Sequence, residues 1–176
     1  MKSKIINSLV FVIFLTIICG IIYPMLITVI AQLIFPKQAN GTKVSVNGKE
    51  VGLYYVGQAF TQEKYFLGRP SATNYEKSGA SNVSIYSEEY KKIIEERRKK
   101  WKETSNNEKQ VPIELLTASG SGLDPDISKE SALYQVERIA KARNIEISKL
   151  QEIINNMPEE INVLQLNIML DEMQNK

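Results

Sequence analysis

From Ile5 to Phe35 the chain has no charged residue, a run of 31 positions. A bilayer core of ~30 Å is crossed by ~20 helical residues, so the run predicts a transmembrane helix with length to spare. Tilt, or extension beyond the lipid on the outer side, absorbs the excess. A cleaved signal peptide fits less well, because its apolar core runs to about 7 to 15 residues, although Val29-Ile30-Ala31 is a weak cleavage pattern. Pro24 removes a backbone donor and crowds the preceding turn, which predicts a kink near Ile21 to Pro24. Lys2 and Lys4 stand directly before the span, so the positive-inside bias keeps the N-terminus in the cytoplasm and sends everything after Pro36 outward. Lys37 and Lys43 on the other flank work against that bias. Ser8, Thr16, Cys19, Gly20 and Thr28 recur along the span; such residues let a partner helix approach closely in lipid, though any single-pass helix carries a few of them.

This feature divides the chain into residues 1–36, cytoplasmic N-terminus and transmembrane helix, and residues 37–176, an extracytoplasmic soluble domain. About 140 residues make one ordinary domain with a real core. Lys2 and Lys4 are the only charges before Pro36, so of 22 basic residues the domain keeps as many as there are acidic ones, 20, and is formally neutral. A nucleic-acid-binding domain is normally basic, so no nucleic-acid partner is expected, whereas membrane lipid is. Histidine is absent, which removes Ser-His-Asp and Cys-His catalysis and most zinc sites. The single cysteine, Cys19, lies in the apolar run and allows no intramolecular disulfide; a lipid-modified cysteine needs a small residue before it, and Ile18 stands there.

Along the domain, Asn40-Gly41 and Asn47-Gly48 are turn signals around Val44-Ser45-Val46, predicting a hairpin-like opening over Gln38 to Glu50. Leu53 to Gln58 reads as a strand. Ser87 suits the cap of a helix with Glu88 and Glu89 in its first turn, Arg97 to Lys100 near its end and Tyr90, Ile93, Ile94 and Trp101 on one face. Thr104 to Gln110 reads as a flexible loop, and Pro112 as the first turn of a short helix. Ser128 opens a helix that turns Ala132, Leu133, Val136, Ile139 and Ala140 inward; Ser148 with Gln151 and Asn162 with Gln165 look like caps of two more. The expected fold class is α+β: one N-terminal transmembrane helix followed by a single small, mixed, helix-rich domain.

Thr117 to Pro125, with Ser119, Gly120, Ser121, Gly122 and then Asp124-Pro125, is the segment most like a site. It lacks the lysine of a P-loop, has Pro125 at the third glycine position of a dinucleotide fingerprint, and places neither serine in a Gly-x-Ser-x-Gly elbow. Ser-x-x-Lys occurs nowhere. Two readings stay open: a tight turn and helix cap that shapes an interface, or an anion- or nucleotide-contacting loop. Asp124 and Asp126 are too few for a specific cation site and suit a turn, so no metal is expected.

The ordered motifs Gly20-Ile21-Ile22-Tyr23-Pro24, Ala31-Gln32, Gln38-Ala39-Asn40-Gly41, Gly57-Gln58, Tyr65-Phe66 and Gly68-Arg69-Pro70-Ser71-Ala72 continue through Thr117 to Pro125, Ala132 to Val136, Arg138-Ile139-Ala140, Ala142-Arg143 and Asn162 to Asn167. In these the chain resembles the KdpC family, a subunit of the bacterial high-affinity, ATP-driven potassium transport complex. It departs from that pattern at Asp126, where the family often has histidine, and at Val83-Ser84, where a Leu-Gly-Pro run is usual.

The resemblance implies a non-enzymatic accessory subunit beside a potassium-channel-like subunit and a P-type ATPase subunit, in the cell membrane. It would support assembly and act as a catalytic chaperone that raises the pump subunit's affinity for ATP. It implies no cofactor of its own, ATP through the complex, nucleotide contact at Ser119, Gly120, Ser121 and Gly122, and partner contacts at Gly20, Pro24, Arg69, Pro70, Asp124 and Gln135. The predicted topology opposes direct nucleotide contact, since it puts Ser119 to Gly122 outside, where ATP is scarce; packing on the potassium-conducting subunit is the mechanism it favours. The alternative is a membrane-anchored extracytoplasmic binding or sensor domain without a pump partner.

Overall fold

The computed structural model describes residues 2–105 and 109–174. The chain divides between Thr42 and Lys43 into two compact units.

The first unit is helical. Helix α1, Lys2–Ile17, passes through one π-helical turn, Ile18–Ile22, into α2, Tyr23–Ile34. The disturbance expected at Pro24 takes this form. The proline ring displaces the carbonyl four residues back, that of Gly20, and a wider turn makes room for it without leaving the helix. None of the side chains in the most apolar window of Ser3–Ile34 is buried. Ser8, Thr16 and Thr28 donate their hydroxyls to the carbonyls of Lys4, Val12 and Pro24 at 2.8 to 2.9 Å, so each polar group is satisfied within its own helix, as a lipid environment requires. Pro36 ends α2 and starts α3, Pro36–Ala39. Two amide–amide hydrogen bonds between Gln32 and Asn40, 3.1 and 2.8 Å, fasten the chain across that break.

The second unit opens with the hairpin of β1, Lys43–Val46, and β2, Lys49–Leu53, joined by Asn47 (φ 51°) and Gly48 (φ 77°). Positive φ at both turn residues is what a two-residue hairpin needs to match strand twist. Leu53 to Gln58 is not a strand: β2 ends at Leu53, the Val56 N–H turns back to the Leu53 carbonyl, and the Gly57 N–H is taken by the Leu123 carbonyl at 2.7 Å. Helix α4, Glu88–Ser105, begins at the predicted cap, where Ser87 Oγ accepts from Tyr90 N. It runs further than expected, so Arg97 to Lys100 lie within it, and Thr104 and Ser105 are helical, with Ser105 Oγ bonded to the Trp101 carbonyl and Tyr134 Oη. The rest of the predicted loop, up to residue 108, lies outside the described residues.

Pro112 precedes a single 3₁₀ turn, Ile113–Leu115. Strands β3, Asp126–Ser128, and β4, Glu160–Asn162, pair antiparallel and lead into α5, Lys129–Arg143, and α7, Val163–Gln174, while α6, Ile147–Asn155, lies between. Ser128 and Asn162 cap α5 and α7, accepting from Ser131 N and Gln165 N. The Ser148 cap does not form. Helix α6 starts one residue before it, and Ser148 Oγ donates instead to Glu146 Oε1 at 2.6 Å.

Helix α5 is central. Its Ala132, Val136, Ile139 and Ala140 pack with Leu150 and Ile154 of α6, Leu166 and Leu170 of α7, and Phe66. Tyr134, on its other side, packs with Ile94 and Trp101 of α4 and with Leu115 and Leu116. Each fully buried valine, leucine, isoleucine or phenylalanine among them contributes about 1.5 to 3 kcal/mol.

Candidate functional site

Residues 54–86 contain no helix or strand, yet this long segment is well fastened. Backbone polar groups that enter a core need partners, and here side chains from α5 and α7 supply them. The Asn167 amide clamps Phe66, accepting from its N–H at 2.8 Å and donating to its carbonyl at 2.9 Å. Gln135 does the same for Leu67, at 2.8 and 3.0 Å. Arg138 donates to the carbonyls of Glu63 and Tyr65, and Arg143 to that of Lys64 at 2.7 Å. Four side chains thus replace a neighbouring strand. Their polar types at mostly buried positions were the signal for this role, but the helical period alone could not say what they would meet.

The glycine segment packs against this fastened loop. Ser119 N–H donates to the Pro70 carbonyl at 3.3 Å; the Ser121 carbonyl accepts from Gly79 N at 2.8 Å and Ser78 Oγ at 3.1 Å. Within the segment Ser119 Oγ accepts from Gly122 N and Ser121 Oγ from Leu123 N. Gly122 has φ 68°, and a Cβ there would lie 2.5 Å from the Gly79 carbonyl oxygen. One at Gly57 would lie 2.3 Å from that of Asp124. These glycines therefore serve close backbone packing. Ser119 and Gly122 are buried, and only Gly120 and Ser121 of the four face solvent. The N–H groups of Ser119, Gly122 and Leu123 are already spent inside the protein.

Arg69 joins the two segments through Nη1 to Asp124 Oδ2 at 3.0 Å, a half-buried pair. Tyr75 Oη donates to the Arg69 carbonyl, and burial, then the negative charge of Asp124, pushes its phenol upward. Asp124 Oδ1 accepts from Asp126 N at 3.2 Å, forming the expected turn. Asp126 is held above the ordinary carboxylate range by burial and by the charges of Asp124 and Glu160, against a hydrogen bond from Asn162. Beneath them Glu114 Oε2 accepts from Ser128 N, Ser128 Oγ and Ser131 Oγ at 2.7 to 2.8 Å. Burial raises its carboxyl, but these bonds and the charge of Arg69 outweigh that and leave it below the usual value. Among the described residues no group of three or more acidic, histidine or cysteine side chains is placed to hold a metal ion.

Of the sequence-derived partner candidates, Arg69, Pro70 and Asp124 stand together and half-exposed. The Gln135 side chain is wholly buried, its amide committed to Leu67, Ser131 and Arg138, so within this chain it holds Leu67 in place. Gly20 and Pro24 belong to the helical unit, in and beside its π turn.

Two concave surfaces flank this arrangement, and Arg97 of α4 lines both. One, of about 490 Å³, lies beside Ser119 and Gly120 with Ser71, Tyr90 and Ile93 on its wall. The other, of about 430 Å³, lies between Arg69-Pro70 and the Lys100–Thr104 end of α4.

Comparison with known proteins agrees along nearly the full length. The family model described as "KdpC: K+-transporting ATPase, c chain" matches residues 5–172. A potassium-transporting ATPase KdpC subunit of Clostridium perfringens is 41% identical over 192 residues, covering 96% of this chain and 97% of its own. One from Leptospira interrogans is 42% identical, with 93% and 91% covered, and a KdpC subunit 2 of Staphylococcus aureus is 39% identical, with 95% and 97% covered.

Proposed function

Since the chain belongs to the KdpC family of K+-transporting ATPase c chains, we propose that it anchors beside the other subunits of a Kdp potassium pump and acts on them through its second unit. It is an accessory subunit, and catalysis lies on another chain. In the finer reading the Ser3–Ile34 helix crosses the membrane once, Lys2 and Lys4 keep the N-terminus inside, and the unit from Lys43 onward lies outside. There its half-exposed Arg69-Pro70 and Asp124 face packs on the potassium-channel-like subunit. The support for the ATP affinity of the P-type ATPase subunit is then indirect. It is transmitted by an element with two arrangements that both sites bias, not by nucleotide contact at Ser119 to Gly122. The observation that carries this reading is the internal use of much of the glycine segment: the N–H groups of Ser119, Gly122 and Leu123 bond the protein's own carbonyls and hydroxyls, and the Ser121 carbonyl bonds Gly79 and Ser78.

Topology tests it. With Cys19→Ala and Ser121→Cys, intact cells treated with a membrane-impermeant thiol reagent should label at position 121. Labelling only after lysis reverses the orientation and returns direct ATP contact to consideration.

A further inference from the structure

The cleft of about 430 Å³ carries an unbalanced charge. Four cations line it, Arg69, Arg97, Lys100 and Arg138, against one acid, Glu63. Elsewhere on α4 the cations Lys91, Arg98 and Lys99 each lie within 4.0 Å of a glutamate, while Lys92 and Lys102 are in no ion pair seen among the described residues. Arg97, Lys100 and Arg138 are in none of the ion pairs seen among the described residues. Arg97 donates to the Leu116 carbonyl, and Arg138 to carbonyls and the Gln135 amide, so neither charge meets a carboxylate.

Two buried donors add to the unanswered positive charge. Nε of Arg69 and Nε of Arg138 are shut off from water and have no hydrogen-bond partner. Both side chains line this cleft, and Arg138 is only 6% exposed. A buried N–H left without an acceptor is unfavourable. Burial also draws the Arg138 guanidinium down to about 10, Glu63 offsetting little of it, and lowers Arg97 as well. The rest of the wall is part apolar and aromatic, with Phe60, Leu67, Tyr75 and Trp101, and part polar, with Thr61, Gln62 and Thr104.

The geometry points to this cleft as the seat of a carboxylate, the side chain of an aspartate or glutamate borne by a neighbouring subunit. A carboxylate offers two oxygens with about four acceptor positions, enough for the half-buried Arg97 guanidinium and the exposed Lys100 ammonium, neither of them in an ion pair among the described residues. Its negative charge answers the excess of cations in the cleft, and the apolar part of the walls accepts the hydrocarbon of an acidic side chain. The inference rests on the accessory-subunit reading and names the chemistry of one contact within it.

The test uses the full chain in the assembled transport complex, with benzoylphenylalanine in place of exposed Thr61 at the rim. Irradiation should crosslink it to a peptide of another subunit with Asp or Glu at or beside the crosslinked position. Lys100→Glu should weaken that crosslink about tenfold or more, and changing the identified acid to lysine should restore it. A crosslink to lipid, one to a peptide without an acid, or a chain that stays in the complex with no crosslink overturns the inference and leaves the accessory role standing. A chain that fails to co-purify with the complex overturns both.

Discussion

The two glycines of the Ser119–Gly122 turn make different demands. Gly122 combines φ 68° with a Cβ path blocked at 2.5 Å by a backbone oxygen, whereas Gly120 faces open space. Gly122→Ala should therefore lose roughly 1 to 3 kcal/mol of stability, and Gly120→Ala little; thermal melts of the two variants check this. Glu114 sets a second expectation. Its carboxyl is depressed in the folded protein, so its contribution is complete above its unfolded value and is lost as pH falls through the lower folded one. Glu114→Gln should flatten the fall of stability below about pH 4.5, the ordinary glutamate value, which denaturant titrations at pH 3 to 7 would reveal. Neither demand could be read from residue type: a glycine or a glutamate in the sequence does not announce which backbone oxygen or hydroxyl it will face.

Helix starts were legible wherever the signal is local. Ser87, Ser128 and Asn162 each accept a bond from an N–H three residues on, as their positions predicted. Ser87→Ala should cost about 1 kcal/mol, seen as a lower unfolding midpoint in urea with little change in slope. Ser148 carried the same local pattern and failed, because α6 begins at Ile147 and puts the serine inside its first turn. The helix end at Ser105 was misjudged for a related reason. Thr104 and Ser105 are weak helix formers alone, but burial of Ser105 against Tyr134 carries α4 on. The strand expected over Leu53 to Gln58 gave way to a backbone bond with Leu123, 66 residues further along the chain, which no local pattern contains.

For the whole molecule, two compact units imply separable behaviour. The second has its own core in α4 to α7, so a fragment of residues 43–176 should fold, giving a helical circular dichroism spectrum and a cooperative melt. On the proposed anchoring role of the apolar helix, the same fragment should not restore potassium-stimulated ATP hydrolysis to a complex that lacks this chain. The sequence by itself determined the long apolar N-terminal helix, the hairpin turn, three of the capped helices and the family, since each follows from short-range pattern or from ordered motifs. Only the tertiary structure decided that Gln135, Arg138, Arg143 and Asn167 hold a strandless loop in place, that Ser119 and Gly122 turn their N–H groups to acceptors within the protein, and that four cations share one cleft with a single acid. Those relations join residues tens of positions apart, and their energies arise from burial and hydrogen bonding that exist only once the chain has closed on itself.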